Sequence, residues 1–360
     1  MHVVARPHAE TTGRHWFAKA LIGMGLIVVL VSGLAWVAVR MSPWPTALLT
    51  RVVFTRGARV AYHQQEKHLP AKIYEQRDQH YDDSNGDAYL DVYSPQPFDN
   101  MAQPATTVVW VHGGAWLSGS KNDIANYARI LAARGFTVVG VDYSLSPTSL
   151  YPTPVLQVNA ALRYLVTNAE RLHVDPTRIF LAGDSAGAQI AAQVAVAVTS
   201  EEYASRMQIR PTIHPDQLKG LLLYCGVYDI NSMRFDGVMG YFMHQAVRAY
   251  MGTANYTAVQ HFAEASVANY VTPQFPPAFL SAGNTDPLEP QSRRMAEALQ
   301  RKGVTVETLF YSPSYQPPLP HEYQFDLDLM EGQDALARSV GFLEKHGATA
   351  SEPEQSSILP

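Results

Sequence analysis

The sequence predicts an α/β fold: a mostly parallel central sheet with helices on both faces and a helical cap, preceded by an apolar N-terminal helix. Three observations carry this. From Thr106 onward, short apolar strand-like runs alternate with helical stretches, as in a parallel sheet covered on both sides. One run, Ile179–Ala182, ends in Gly183-Asp184-Ser185-Ala186-Gly187 and passes at once into a stretch of small helix-forming residues. Ahead of all this, the twenty residues Ala20–Val39 carry no charge. Composition agrees with a large core, since 47% of the 360 residues are apolar and only 16% charged. A net charge of −5 with no long basic run points away from a nucleic-acid partner. The single Cys225 excludes an intrachain disulfide, and its apolar neighbours Leu221–Tyr224 predict a buried thiol.

Taken in order, residues 1–19 form an N-terminal tail and residues 20–39 a transmembrane anchor. A helix of that length rises about 30 Å, the thickness of the bilayer hydrocarbon. Gly33 and Ala35 also offer a small-x-small cleavage pattern, so a removed signal peptide is the alternative. Arg6, Arg14 and Lys19 precede the span while Arg40, Arg51, Arg56 and Arg59 follow it, which leaves the orientation open. Residues 40–70, with Pro43, Pro45 and Pro70, read as a juxtamembrane linker containing one helical stretch over Thr46–Gln65.

The catalytic domain is expected over residues 71–346. It opens on a hairpin of Lys72–His80 and Ala88–Ser94 around the turn Asp82–Asp87. Thr106–Val111 is a β-branched run and therefore a central strand. A helix over Ile124–Arg134, a strand over Phe136–Val141 and a helix over Val155–Leu172 lead to the strand before Ser185. The helix after Ser185 runs to Thr199, and the strand Leu218–Tyr224 follows. Between about 229 and 273 no strand pattern occurs, which predicts the helical cap. Alternation resumes with strand Ala278–Ala282, helix Gln291–Lys302 and strand Thr305–Phe310. A loop rich in proline, Pro313–Pro320, precedes a final helix over Tyr323–His346, and the polar tail 347–360 is expected to be disordered.

The chemistry is read from four parts. Gly-x-Ser-x-Gly between a strand and a helix is the nucleophile elbow of α/β-hydrolases, a strained turn that lifts the serine hydroxyl above the sheet. A serine hydroxyl needs a base within hydrogen-bond reach, itself held by a third group. In this elbow class the partners follow in the order serine, acid, histidine. Asp286, just past strand Ala278–Ala282, and His321, in the loop after the last strand, fit that order. Glu289 is an alternative acid, Asp184 reads as structural, and Asp229 as a loop cap that could reach the site. The fourth part is His112-Gly113-Gly114-Ala115-Trp116, directly after the central strand. Backbone N–H groups of Gly113, Gly114 and Ala186 are the expected oxyanion hole. His112 is expected to brace that loop, and Trp116 to be a pocket wall or core. Asp286 should raise the pKa of His321 and burial lower it, leaving the base near the ordinary value of about 6.5.

With these residues in view, the chain from Ala88 to His346 resembles the hormone-sensitive-lipase-like branch of the α/β-hydrolase esterases. Within it, the chain is similar to feruloyl-esterase-like, kynurenine-formamidase-like and prenylcysteine-methylesterase-like enzymes. The likeness is carried by Leu90–Pro95, the His112–Trp116 loop, Val141–Pro147, the Gly183–Gly187 elbow, Thr285–Leu288 and His321. It implies a serine hydrolase that cleaves carboxylic esters through an acyl-enzyme, with a catalytic domain translocated across the membrane. Two departures stand out. Ala115 replaces a frequent third glycine of the oxyanion loop, and Tyr143-Ser144-Leu145 lacks a customary arginine. No metal or nucleotide motif is present, so no cofactor is expected. The expected partners are a small ester substrate and the membrane, and the oligomeric state is left open. An amidase, formamidase or peptidase on the same triad, or an inactive binding protein of this fold, are the competing readings.

Overall fold

The computed structural model describes residues 11–98, 104–233 and 236–348. Most of the predicted C-terminal tail, from residue 349, and residues 1–10 of the N-terminal tail lie outside the described residues. The chain begins with α1 (Thr11–Met41) and α2 (Trp44–Gln65), then β1 (Tyr74–His80), β2 (Tyr89–Ser94) and β3 (Ala105–Val111). Next come α3 (Ala125–Ala132), β4 (Thr137–Val141), α4 (Thr153–Thr167), α5 (Ala169–Leu172), β5 (Val174–Asp184) and α6 (Ser185–Thr199). The remainder is α7 (Glu201–Met207), β6 (Leu218–Tyr224), α8 (Gly237–Met251), β7 (Ala278–Ala282), α9 (Glu289–Arg301), β8 (Val306–Phe310) and α10 (Met330–Gly347).

The eight strands form one sheet in the order β1-β2-β4-β3-β5-β6-β7-β8. The hairpin β1–β2 pairs antiparallel, and β2 also meets β4 antiparallel. Every pairing from β4 through β3, β5, β6 and β7 to β8 is parallel. The central strands are continuous apolar runs because both of their faces are covered. Accordingly β3, β4, β6 and β7 are buried along almost their whole length. Helix α6 is buried from Ser185 to Val198, and its alanines and valines let it lie close against β5. Parallel register sets Gly183 beside Val111 and Asp184 beside Tyr224, so the C-terminal ends of β3, β5 and β6 share one sheet edge. Ligands of open α/β sheets bind at that edge.

Several predicted elements shift. The helix expected over Val155–Leu172 is two helices, α4 and α5, that meet at Asn168. The final helix begins at Met330 rather than Tyr323, because Tyr323–Phe325 forms a separate short 3-10 turn. Tyr323 is buried there with its hydroxyl bonded to Ser281 Oγ at 2.8 Å.

The largest difference concerns residues 40–70. The helical stretch expected over Thr46–Gln65 forms as α2, and it packs against the catalytic domain. Pro43 and Pro45 sit at the start of α2, where a missing N–H costs nothing, so the prolines open a helix. Arg51 Nε donates to Leu117 O (2.8 Å) and its Nη2 to Ser146 O (3.1 Å), and Gln65 Nε2 donates to Phe325 O (2.9 Å). From the segment read as a cap, Arg248 of α8 donates to Val39 O (3.0 Å) and Arg40 O (2.9 Å), which ties α8 to the end of α1. Phe54 and Phe242 join α2 to α8 with ring centres 5.7 Å apart. Among the described residues the 229–273 segment contains no strand; besides α8 it holds only short 3-10 turns. One helical stretch, Lys19–Met41 with mean hydropathy 2.4, is long and apolar enough to cross a membrane, and none of it is buried in the protein.

Candidate active site

The site is built at the C-terminal sheet edge, where β5 turns into α6. Ser185 occupies the turn with φ 51°, a left-handed conformation unusual for a residue with a side chain. The flanking glycines are required by close packing. A Cβ on Gly187 would sit 2.0 Å from Val111 O, and one on Gly183 would sit 2.6 Å from the Gly187 carbonyl carbon. The helix can therefore approach β3 only if both positions lack a side chain, and the turn between them holds Ser185 in its strained state.

Asp286 follows β7 and is buried. Both of its oxygens are engaged: Oδ1 accepts from Leu288 N (2.8 Å) and Oδ2 is 2.9 Å from His321 Nδ1. Thr285 and Asn284 clamp the histidine loop, since Thr285 Oγ1 donates to Leu319 O (2.8 Å) and Leu319 N donates to Asn284 Oδ1 (2.8 Å). The two loops are thus fastened to each other around the Asp286–His321 contact. The alternative acids lie elsewhere. Glu289 is paired with Arg293, and Asp229 accepts from Asn231 N and pairs with Arg294 Nε at 2.7 Å. Asp184 accepts from Trp110 Nε1 (2.8 Å) and braces the turn from beneath.

No hydrogen bond joins Ser185 to His321 among the described residues. Instead His321 Nε2 lies 3.6 Å from Glu322 Oε1. Contacts between nucleophile and base are often loose in the free enzyme and tighten when substrate binds. Two neighbours of the imidazole escaped the sequence reading. Glu322 takes φ 63°, which accompanies the return of its carboxylate toward the ring. The thiol of Cys225, the residue after β6, also lies within 4.8 Å of a His321 ring nitrogen. Both were within reach of sequence reasoning: Glu322 is adjacent to His321, and the parallel register carries the end of β6 to the same edge as Ser185.

The electrostatics follow from these contacts. Burial disfavours the His321 imidazolium, while Cys225, the Asp286 hydrogen bond and the Glu322 charge favour it. Burial pushes the Cys225 thiol up to about 12, so it is uncharged at neutral pH. The side chain of His321 is 31% exposed, which weakens the burial cost, and its pKa lies well above the ordinary value. The near-cancellation expected from sequence omitted Glu322. Burial and the Glu322 charge likewise push the Asp184 carboxyl well above its usual range, against the opposing Trp110 bond.

The loop after β3 is fixed through its carbonyls. The Tyr143 hydroxyl donates to His112 O (3.0 Å), and Ser118 Oγ and Leu117 N each donate to Gly114 O at 3.0 Å. His112 is buried, stacked on Tyr143 with ring centres 4.3 Å apart, and held below its ordinary pKa by burial, so it braces the loop as a neutral ring. Gly114 adopts φ 109°. Ala186 lies in the first turn of α6, where N–H groups have no intrahelical acceptor. No acceptor for Gly114 N–H is found among the described residues, whereas the Asp184 carboxylate crowds Gly113, with Oδ2 2.2 Å from where a Cβ would sit. Trp116 is both wall and core: it lines the cavity, stacks on Tyr250 at 4.6 Å and donates to Gln189 Oε1 (3.2 Å).

Ser185 opens into an apolar cavity of about 1110 Å³, lined by the Gly113–Trp116 loop, the histidine loop, α8 and, unexpectedly, α1 and α2. One set of possible metal ligands coincides with the site: donor atoms of Cys225, Asp286 and His321 lie within 4.8 Å of one another. Both Asp286 oxygens are already committed and the thiol is protonated, so this donor set suits proton handling better than a cation.

Comparison with known proteins agrees with this architecture. A family model described as α/β hydrolase fold matches residues 108–315, which includes Ser185 and Asp286 and stops short of His321. The chain is 28% identical over 236 residues to acetyl esterases of Salmonella choleraesuis and Salmonella typhi, covering 63% of this chain and 68% of each relative. Among solved structures it is similar to esterase B from Lactobacillus rhamnosis, with a TM-score of 0.70, 23% identity, and coverage of 84% of this chain and 96% of the other. It is also similar to a thermophilic carboxylesterase cloned from a metagenomic library, with a TM-score of 0.67, 20% identity, and coverage of 87% and 100%.

Proposed function

The chain belongs to the α/β-hydrolase fold family, and we propose that it is a membrane-anchored serine esterase that cleaves carboxylic esters. The observation that carries the reading is the contact between Asp286 and His321, 2.9 Å long, at the sheet edge where strained Ser185 faces an apolar cavity. The acetyl esterase relatives support an ester as the substrate.

In this reading Ser185 Oγ attacks the ester carbonyl carbon while His321 Nε2 takes its proton. Asp286 holds the Nδ1–H and stabilises the imidazolium that forms. The negative charge on the carbonyl oxygen is met by the N–H groups of Gly114 and Ala186, with Gly113 as a third donor. The C–O bond to the alcohol then breaks, and the alcohol leaves with the proton from His321. Water, activated by the same imidazole, attacks the acyl-Ser185 ester and releases the carboxylic acid. Each step uses groups of the chain itself. The apolar span Lys19–Met41 holds the enzyme on the membrane.

Hydrolysis of nitrophenyl acetate by the full chain tests the catalytic part. Ser185→Ala should lower kcat on the order of 10⁶, the scale found for removal of a serine-protease nucleophile. An active Ser185→Ala protein would refute the reading. Carbonate extraction and N-terminal sequencing test the anchor, because soluble protein beginning near Trp36 would mean that the span is a removed signal.

A further inference from the structure

The cavity above Ser185 is not closed by the hydrolase domain alone. Trp36 and Val39 of α1 and Leu49, Val53 and Gly57 of α2 form one of its walls. Trp36 and Val39 belong to the last turns of the apolar span Lys19–Met41. Only Ser42 and Pro43 separate α1 from α2, and Arg248 pins Val39 O and Arg40 O to α8. A span seated in the hydrocarbon therefore sets the cavity at the surface of the bilayer, with α2 beside it.

The outer surface of α2 fits that position. Leu48, Leu49, Val52, Val53 and Val60 are all more than half exposed, and Val238 at the start of α8 is 90% exposed. Leu49, Val53 and Val238 also line the cavity, so the exposed apolar surface runs without a break into the substrate space. Helix α2 carries Arg51, Arg56 and Arg59 and no acidic residue. Arg56 and Arg59 have no ion-pair partner among the described residues, and basic residues beside a span attract anionic headgroups. Trp36 and Trp44 flank the junction at the depth where aromatic side chains gather in membranes. The cavity, at about 1110 Å³, lies at or above the top of the usual range of roughly 300–1000 Å³ for small-molecule pockets. An acetyl group would leave most of it unfilled.

We propose that the substrate is an ester bearing a long aliphatic acyl chain that enters sideways from one bilayer leaflet, passing between α1, α2 and α8 to reach Ser185. This rests on the serine-esterase reading above and specifies its substrate class. Each added methylene that stays within the apolar wall should raise kcat/KM by up to about fourfold until the cavity is full.

The test uses the full chain in vesicles of phosphatidylcholine and phosphatidylglycerol, with nitrophenyl acetate in the water and nitrophenyl palmitate in the membrane. The wild type should hydrolyse both. The ratio of palmitate to acetate turnover should fall at least tenfold in Leu48→Asp/Val52→Asp, which makes the outer face polar. It should fall similarly in Gly57→Phe, where an added Cβ meets nothing within 4 Å and the ring would extend into the cavity. Acetate turnover reports that Leu48→Asp/Val52→Asp is folded, and circular dichroism with an unchanged Tm reports it for Gly57→Phe. If the wild type cleaves acetate but not palmitate, or if neither variant moves the ratio, lateral entry is refuted and the esterase reading stands. Absence of cleavage of both esters refutes the esterase reading itself. If Leu48→Asp/Val52→Asp converts a dimer into monomers with the ratio unchanged, the face joins two copies and the proposal falls.

Discussion

Around Ser185, position after position is fixed from several directions. Asp286 spends both oxygens, the His112–Gly114 carbonyls all accept hydrogen bonds, and Gly183 and Gly187 leave no room for a methyl group. Across the cavity, α2 presents leucine and valine side chains to the exterior and is held to the domain by Arg51, Gln65 and the Phe54–Phe242 contact. The first region tolerates one arrangement, and the second is an apolar surface on which many side chains would serve. Chemistry that needs atoms within a few tenths of an ångström is placed on the tightly fixed part, while the proposal above leaves selection of a substrate chain to the more permissive one.

Mutation should separate the two regions sharply. After the loss of Ser185 itself, the largest effect is expected at the orienting acid: Asp286→Asn leaves the shape intact but favours the wrong tautomer of His321, and should reduce kcat on the order of 10⁴ with little change in KM. Glu289→Gln, by contrast, loses only a contact to Arg293 and should stay active. Steady-state kinetics of the pair decides whether the tightly fixed region includes Asp286.

Next comes the packing of the elbow. Gly187→Ala drives a methyl group into the Val111 carbonyl and should destabilise the protein by about 1–3 kcal/mol, visible as a lowered Tm together with lost activity. Phe54→Ala, at the more permissive wall, should leave acetate kcat within a few fold while shifting the preferred acyl length. An equal loss of acetate kcat in both variants would erase the distinction.

The smallest expected effect is a pH shift. The base must be neutral to accept the Ser185 proton, so kcat/KM rises with pH through the pKa of His321 and is lost as pH falls below it. Since Cys225, Asp286 and Glu322 together outweigh burial, that limb should lie above the ordinary histidine value of about 6.5. Glu322→Gln removes one of the charges that favour the imidazolium, and should move the limb to lower pH. A limb that stays put in Glu322→Gln would show that Glu322 does not act on the ring.

The same contrast explains what was legible in the sequence. The strands Thr106–Val111, Leu218–Tyr224 and Ala278–Ala282 could be read because strands covered on both faces must be apolar throughout, and the elbow because its glycines are dictated by contact. Asp286 and His321 were readable from their places after strands. The start of the last helix was not, because burial of Tyr323 against Ser281 overrides the helical preference of its segment. The role of α2 was hidden for a related reason. Prolines and arginines suggest a linker, and only the tertiary partners Leu117 O and Ser146 O turn Arg51 into a clamp. Cys225 was correctly expected to be buried, yet its approach to His321 depends on how the strand edges align.

That approach also defines the most direct test of the account. Two nucleophilic groups compete for the role, the Ser185 hydroxyl in the cavity that His321 also lines and the Cys225 thiol within 4.8 Å of the imidazole, and only the strained serine should react, because burial keeps the thiol protonated. Labelling the membrane-bound protein with a fluorophosphonate, followed by peptide mapping, should place the adduct on Ser185 and show no labelling in Ser185→Ala or His321→Ala. An adduct on Cys225, or labelling that persists without His321, would contradict the proposed triad.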